Sequence, residues 1–433
     1  MELKLKLKTI FKWFIIATLM LQSLISLKLG NLPYITLPRI LLVIAYVWIL
    51  FMPDIQREFI ALAKKCNYNM AIIVYLLVCL YTAIFRRDIN TFFGFFVDCF
   101  LVFYLFLYIL EYYISIDNFM QMLTACIYIV CILGLIEFFT EFNIFTEVFI
   151  GEANAIEASY RDSVLRICGP YGHPLAYGMV LILFFPLTCY SYEENSINIF
   201  KNKILFILVI LNMFATGGRS GIGLFGLELI LLYMFTSKQY KGAAFLNIVA
   251  IIGILVCIGS VLYNTELVQY CLRQLSYVVD ELLGTNMSLL YGGDSSISAS
   301  SIARERIWKI FYDNSLNPWL GKGTSSIGSY QIDNWLVTSI DNFYVRTYIS
   351  FGVFGVIAVF ILFFGFLFKN FFEFIKTKNS GLLICLISVG LYMINLLYVD
   401  ELATFKYFFL IMSITVNIVM RQNISYVEND QVE

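Results

Sequence analysis

The sequence predicts an all-α polytopic membrane protein of about twelve transmembrane helices, with one large extracytoplasmic loop between the ninth and the tenth. Three observations predict it. Hydrophobic residues fill 60% of the 433 positions and charged residues 14%, and the mean hydropathy is +0.82, well outside the range of soluble domains. Apolar stretches approaching the about 20 residues that a span requires recur along the whole chain. Lys and Arg, finally, are sorted by residue type between alternate connections. The net charge of −1 says nothing about partners, and nothing in the sequence calls for nucleic acid.

The apolar stretches lie near residues 12–28, 38–53, 69–85, 91–110, 121–139, 174–191, 202–216, 219–236, 243–263, 343–368, 380–398 and 402–420. The first follows a basic N-terminus, as in a signal peptide, but no small-residue cleavage site follows and further spans do, so it is expected to stay as a first helix. Residues 1–263 then hold nine helices with an outer segment near 140–173. Residues 264–342 form the large loop, 343–420 the last three helices, and 421–433 an inner tail. Most of the ten cysteines lie in apolar runs, where a thiol acts as a small hydrophobe, and no disulfides are expected. Only Cys168 and Cys271 fall in outer segments, and spacing does not establish a bridge between them.

Orientation follows from the basic residues. With Lys4, Lys6, Lys8 and Lys12 cytoplasmic, both termini are inside, and the inner connections take most of the lysines, Lys64, Lys65, Lys201, Lys369 and Lys376 among them. The outer face takes ten arginines, which topology does not require. A guanidinium is a permanently charged planar fork suited to carboxylate or phosphate. An anionic ligand handled on the outer face is therefore expected.

Residues 161–174 close the first outer segment. Gly169, Pro170, Gly172 and Pro174 impose a bend with close backbone approach, and Pro174 suits the first turn of the next helix. Either Arg161 and Arg166 snorkel to lipid headgroups, or Arg166 and His173 stand at the mouth of a cavity. His173 is the single histidine, and such a residue is more often a hydrogen-bonded structural group than a base. Thr216-Gly217-Gly218-Arg219-Ser220-Gly221 breaks two apolar stretches. Its glycines allow a tight reversal, and the N-terminus of the following helix adds free N–H groups and a positive dipole end to whatever Arg219 approaches. Glu228 lies about 13 Å deeper along that helix, too far to pair with Arg219.

The large loop contains a polar small-residue stretch, 292–301, followed by a short amphipathic helix over 303–311. Arg304 and Arg306 point apart on that helix, so at most one enters a site, while Ile302, Ile307, Ile310 and Phe311 anchor it. Asp341-Asn342-Phe343-Tyr344-Val345-Arg346 begins the tenth stretch. Asp341 is either an N-cap or a general base beside Arg346. Asp400 and Glu401 are adjacent and on a helix diverge by about 100°, so no metal site and no cofactor are expected. Asp98, Glu137, Glu228 and Lys406 lie within spans, either functional or paired to fix packing.

In these features the chain resembles the O-antigen polymerase and O-antigen ligase family of bacterial surface-polysaccharide assembly. The resemblance covers the span pattern, Arg166 with Gly169 and the Gly172-His173-Pro174 turn, the element at 216–221, Trp319-Leu320-Gly321-Lys322-Gly323, and Asp341-Asn342-Phe343-Tyr344 followed by Gly352-Val353-Phe354-Gly355. It implies a fold like that of GT-C type glycosyltransferases in the bacterial plasma membrane. It also implies glycosyl transfer on the outer face from saccharides carried on undecaprenyl pyrophosphate, with membrane lipids and a chain-length regulator as further candidate partners. On that footing Arg219, assisted by Arg166 and Arg304, is expected at the pyrophosphate, Asp341 is the leading base, and His173 is a further catalytic candidate. Arg161, Arg306, Tyr344 and Arg346 are candidate substrate contacts. Ligases of the family resemble one another in a histidine in or at the end of the large loop, and this loop has none, which favours a polymerase. A ligase, a lipid-linked oligosaccharide flippase and a non-catalytic scaffold are the competing readings. The flippase reading expects paired or inverted repeats, and none is detected.

Overall fold

The computed structural model describes residues 2–21, 25–28, 34–148, 150–151, 159–161, 164–293, 306–313, 315–324, 330–332, 335–337 and 340–430. Helix α1 (Glu2–Met20) leads through strands β1 (Ile25–Leu27) and β2 (Ile35–Thr36) to α2 (Leu37–Phe51). Pro53 then starts α3 (Pro53–Lys65), which leaves α2 at 109°, because proline ends the hydrogen-bond ladder of the preceding helix. Helix α4 (Asn69–Arg86) ends at Arg87 in the left-handed conformation. A seven-residue helix, α5 (Ile89–Phe95), runs through a π-helical turn at Phe96–Leu101 into α6 (Val102–Tyr112). That wider turn carries Asp98.

Helix α7 (Ile116–Thr140) and the single turn α8 (Ile144–Glu147) precede β3 (Ile150–Gly151), which pairs parallel with β1. The hairpin β4 (Ser159–Arg161) and β5 (Val164–Arg166) then feeds α9 (Pro174–Thr188). After a second hairpin, β6 (Tyr190–Ser191) and β7 (Ser196–Ile197), come α10 (Lys203–Ala215), α11 (Arg219–Phe235), α12 (Lys238–Val261) and α13 (Glu266–Leu283). A third hairpin, β8 (Tyr330–Ile332) and β9 (Trp335–Val337), lies in the large loop. Helices α14 (Phe343–Thr377), α15 (Ser380–Asn395) and α16 (Phe405–Asp430) complete the chain.

Each of the twelve apolar stretches contains helix, although the first, 12–28, leaves helix after Met20 and holds strand β1, and the last, 402–420, begins before α16 does. By length and composition five helical segments among the described residues can cross a membrane: α4, α5 with α6, α7, α12 and α14; α2 with α3 makes six if the bent pair is one span. The apolar helices α9, α10 and α15 have 15, 13 and 16 residues, fewer than the about 20 of a full span. Helix α1 begins earlier than expected and takes Lys4, Lys6 and Lys8 into the helix, and the connection holding Arg57, Lys64 and Lys65 is itself helical.

Three helices form the centre of the bundle. In α6 every residue from Val102 to Leu110 is buried, in α9 every residue but Leu175, and in α16 every residue from Tyr407 to Ile418. Burial on all sides requires neighbours on all sides: α6 lies along α16, α9 along α15 and α11, and α4 along α14. Helix α12 is the opposite case, mostly apolar after Lys241 yet buried only at Ala244, as expected of a helix that faces lipid.

The large loop is more ordered than its composition predicts. Its first part is the 18-residue α13, which turns Tyr270, Gln274, Tyr277 and Asp280 inward at helical spacing and packs on α11. Asp280 is buried because it terminates the helix: its carboxylate accepts from Thr285 Oγ1 at 2.6 Å, Met287 N at 2.6 Å and Ser288 N at 2.9 Å. Further on, the described part of the short amphipathic helix is a helical turn at Arg306–Tyr312. Ile307 and Ile310 pack on Val345 and Ile349 of α14.

Candidate active site

The first outer segment returns to the bundle through a turn held from below. Glu137, inside α7, accepts from the backbone N–H groups of Cys168 at 3.0 Å and Gly169 at 2.9 Å, and Asn143 Nδ2 donates to the Gly169 carbonyl at 3.0 Å. Tyr171 donates its hydroxyl to the Leu19 carbonyl at 2.8 Å. Glu137 is thus a packing residue of the kind the sequence left open. All ten cysteines are free thiols, and Cys168 lies against Glu137.

This turn fixes Arg166. The side chain is 8% exposed, and its Nε donates at 2.8 Å to the carbonyl of Thr216, the residue that ends α10. A cation at a helix C-terminus meets the negative end of the dipole and one of the carbonyls the helix leaves unbonded. Gly217 follows at φ +60°. A Cβ there would lie 3.0 Å from the Tyr270 hydroxyl and 3.3 Å from Arg166 Cγ and Nε, so glycine is required both by conformation and by contact.

Two residues further, Arg219 opens α11. Its guanidinium carbon stands 3.9 Å from the centre of the Tyr277 ring, which fixes its direction. The first turn of α11 has no acidic residue, so the positive end of the dipole and the arginine add rather than cancel. The start of α9 is close by, since a Cβ at Gly218 would lie 3.1 Å from Leu175 Cδ2. His173 caps that helix: its Nδ1 accepts from Leu175 N at 3.2 Å, which assigns the neutral tautomer with the proton on Nε2. Burial first, then the charge of Arg166, hold the imidazole below its ordinary pKa, while Asp341 acts in the opposite sense. His173 therefore lies within electrostatic reach of both Arg166 and Asp341.

Asp341 itself is exposed. The cap of α14 is the next residue, Asn342, whose Oδ1 accepts from Tyr344 N and Val345 N at 3.0 Å each. Its Nδ2 donates to Leu397 O at 2.9 Å. The capping alternative for Asp341 is accordingly corrected: an amide can accept the helix N–H groups and donate across to the α15 terminus at once, which a carboxylate cannot. Tyr344 is buried, its hydroxyl donating to Met393 O at 3.0 Å and its ring stacked on Phe360. It holds α14 to α15.

Arg346 points elsewhere. It pairs with Asp400 in the connection between α15 and α16, and both line a second cavity, of about 240 Å³, with Asp98, Glu401 and Lys406. Asp98 is held by Arg39, whose Nε and Nη2 reach its two carboxylate oxygens at 2.9 and 2.5 Å. The adjacent Asp400 and Glu401 thus converge on one cavity because they stand in a connection rather than on a helix. Sequence reasoning, which assumed the helical divergence, missed this cluster. Glu228 is fully buried in α11, and neither carboxylate oxygen has a hydrogen-bond partner.

The element Trp319–Gly323 closes the large loop onto α14. Gly352 interrupts α14 at φ +67°, ψ −161°, releasing backbone groups that the loop takes up. Val353 N donates to Pro318 O at 2.7 Å, Lys322 N to Ile349 O at 2.7 Å and Gly323 N to Ser350 O at 2.9 Å. A Cβ at Gly321 or Gly352 would fall within 2.5 Å of opposing backbone, so each glycine is needed for the other strand's approach. Arg306 is exposed at the turn packed on α14. Arg304 and the side chain of Arg161 lie outside the described residues.

Residues 204–360 match the O-antigen ligase family. The O-antigen ligase segment runs from α10 to just past the Gly352 break. It includes Arg219, Tyr277, Asp341 and Arg346, while Arg166, His173 and Asp400 come to it from outside. No curated protein matches the chain. The match covers just over a third of the chain, and the apolar helices are those of a multi-pass membrane protein.

Proposed function

We propose that the chain is a polysaccharide polymerase. It transfers a growing glycan from undecaprenyl pyrophosphate to a sugar hydroxyl of an incoming lipid-linked repeat unit, on the outer face of the plasma membrane. In this reading the helices make about twelve spans in the manner of GT-C type glycosyltransferases, with both termini cytoplasmic.

The observation that carries the proposal is the meeting of Arg166 and Arg219 at the Gly217 turn, with the N-termini of α9 and α11 beside them. Two guanidinium groups and two positive helix ends form a site for a pyrophosphate leaving group, whose developing charge they stabilise without a metal. The residues divide the work. Arg219 faces the departing phosphate, Arg166 holds the turn and adds charge, and the neutral His173 offers Nε2–H as a donor. Asp341 accepts the proton of the attacking hydroxyl as the glycosidic bond to the carrier breaks. Arg304 assists at the pyrophosphate, Arg161 and Arg306 contact the saccharide or the headgroups, and Tyr344 sets the start of α14. Membrane lipids and a chain-length regulator are partners of the same reading.

Transfer to a terminal acceptor, as in a ligase, is the second reading, favoured by the description of the matching family. Lipid-linked saccharides of cells lacking the protein separate the two: single repeat units support the polymerase, and long chains left on the carrier support the ligase. Complementation by Asp341→Asn tests the base. Full polymerisation by that variant removes Asp341 from the role.

A further inference from the structure

We propose that the cavity between α5, the start of α14 and the α15–α16 connection is a subsite for an uncharged saccharide ring, the acceptor end of the incoming substrate. The assignment to the acceptor rests on the polymerase reading above, whereas the chemistry of the ligand follows from the cavity alone.

Charge excludes the other half of the substrate. The lining carries three carboxylates, Asp98, Asp400 and Glu401, balanced by Arg346 and Lys406 within it and by Arg39 bound to Asp98. A pyrophosphate gains nothing from such a lining, in contrast to the arginine site at Gly217. A small cation would in turn meet the fixed charges of Arg346 and Lys406. What remains is a neutral ligand rich in hydrogen-bond donors.

Asp400 supplies the second observation. It is 5% exposed and engages Arg346 through Oδ2, while Oδ1 is buried with no hydrogen-bond partner among the described residues. A buried carboxylate oxygen without a donor is costly, and a ligand hydroxyl satisfies it. The remaining lining has the two textures a sugar requires. The rings of Phe95, Phe343 and Phe405 present apolar surface to C–H groups, and Thr91, Thr347 and Ser350 bring hydroxyls. The cavity also sits where an acceptor is useful. Arg346 stands in the first turns of the helix that begins directly after Asp341, and Thr324, from the loop element docked at Gly352, is part of the lining.

Gly94 gives a test that leaves the charges in place. It lines the cavity, and a Cβ added there meets nothing within 4 Å, so a methyl group is accommodated without displacing a neighbour. The probe is the free repeat-unit oligosaccharide, released from its carrier by mild acid and titrated calorimetrically into the purified full-length protein. Wild type and Gly94→Ala are expected to bind it alike. Gly94→Leu and Glu401→Gln are expected to weaken binding about tenfold, the equivalent of one good hydrogen bond. Retention of undecaprenyl pyrophosphate by the same variants is expected to stay at the wild-type level. Unchanged oligosaccharide binding in both variants overturns the subsite. Weakened binding in a protein whose wild type performs no transfer supports the subsite and overturns the polymerase reading instead.

Discussion

Arg166 and Thr216 are joined by a 2.8 Å hydrogen bond from the guanidinium to the carbonyl that ends α10. The bond links the close of the first outer segment to the glycine turn fifty residues later. It places a buried cation beside Arg219, and the positive site proposed for pyrophosphate is therefore assembled from two segments that neither builds alone.

Gly217 is the hinge of that assembly. Gly217→Ala forces a side chain into a φ of +60° and against Tyr270 and Arg166. The conformation alone costs about 1–2 kcal/mol. The expected outcome is a lower unfolding temperature together with a loss of transfer larger than the same destabilisation produces elsewhere, measured by thermal unfolding and by carrier release.

Glu137 supports the turn from within the bundle. Glu137→Ala leaves the N–H groups of Cys168 and Gly169 buried without their acceptor, at about 1–3 kcal/mol for each. Glu137→Gln keeps an acceptor oxygen and is expected to lose less. A thermal unfolding series of the two variants checks the order.

His173 sets a pH dependence whose sign can be worked out. Its folded pKa is lowered, so the unfolded chain binds the proton more readily, and the contribution of the neutral residue is fully present above its ordinary value of about 6.5. That contribution is lost as pH falls below about 6.5 toward the depressed value, where protonation of Nδ1 also removes the cap on α9. Wild type is expected to lose stability over that acid range, and His173→Asn, which caps without titrating, to lose less. In the pH–rate profile the step from His173 is expected below 6.5.

Gly352 joins the large loop to the membrane helix. Gly352→Ala would place a methyl group against the Pro318 carbonyl in a conformation closed to side chains. The expected outcome is release of the 317–324 segment, seen as faster amide exchange at Lys322, Gly323 and Val353, with the bundle helices unchanged.

Much of this arrangement is legible in the sequence because lipid imposes strict rules. The apolar stretches had to be helices, and the Gly217 and Gly352 elements had to be places where backbone turns or is closely approached. Arg166, His173 and Arg219 could be singled out because arginine and a lone histidine beside glycine turns have few purely topological reasons to be there. Helix α13 was legible as well, through a clear amphipathic period that sequence reasoning passed over in treating 264–342 as loop. Other features left no local signal. Asp341 and Asn342 are neighbours of similar capping ability, and only the Leu397 carbonyl, distant in sequence, decides between them. The Arg346–Asp400 pair and the Arg39–Asp98 pair join residues more than fifty positions apart, and no spacing rule connects them.

The most direct test of the central claim uses purified protein and a lipid-linked repeat unit as both donor and acceptor, with wild type compared against Arg219→Ala. The account predicts a ladder of products and equimolar release of undecaprenyl pyrophosphate by wild type. For Arg219→Ala it predicts a rate lower by about 10²–10³, the loss seen when one transition-state donor is removed. A ladder of normal length and rate from Arg219→Ala would contradict it.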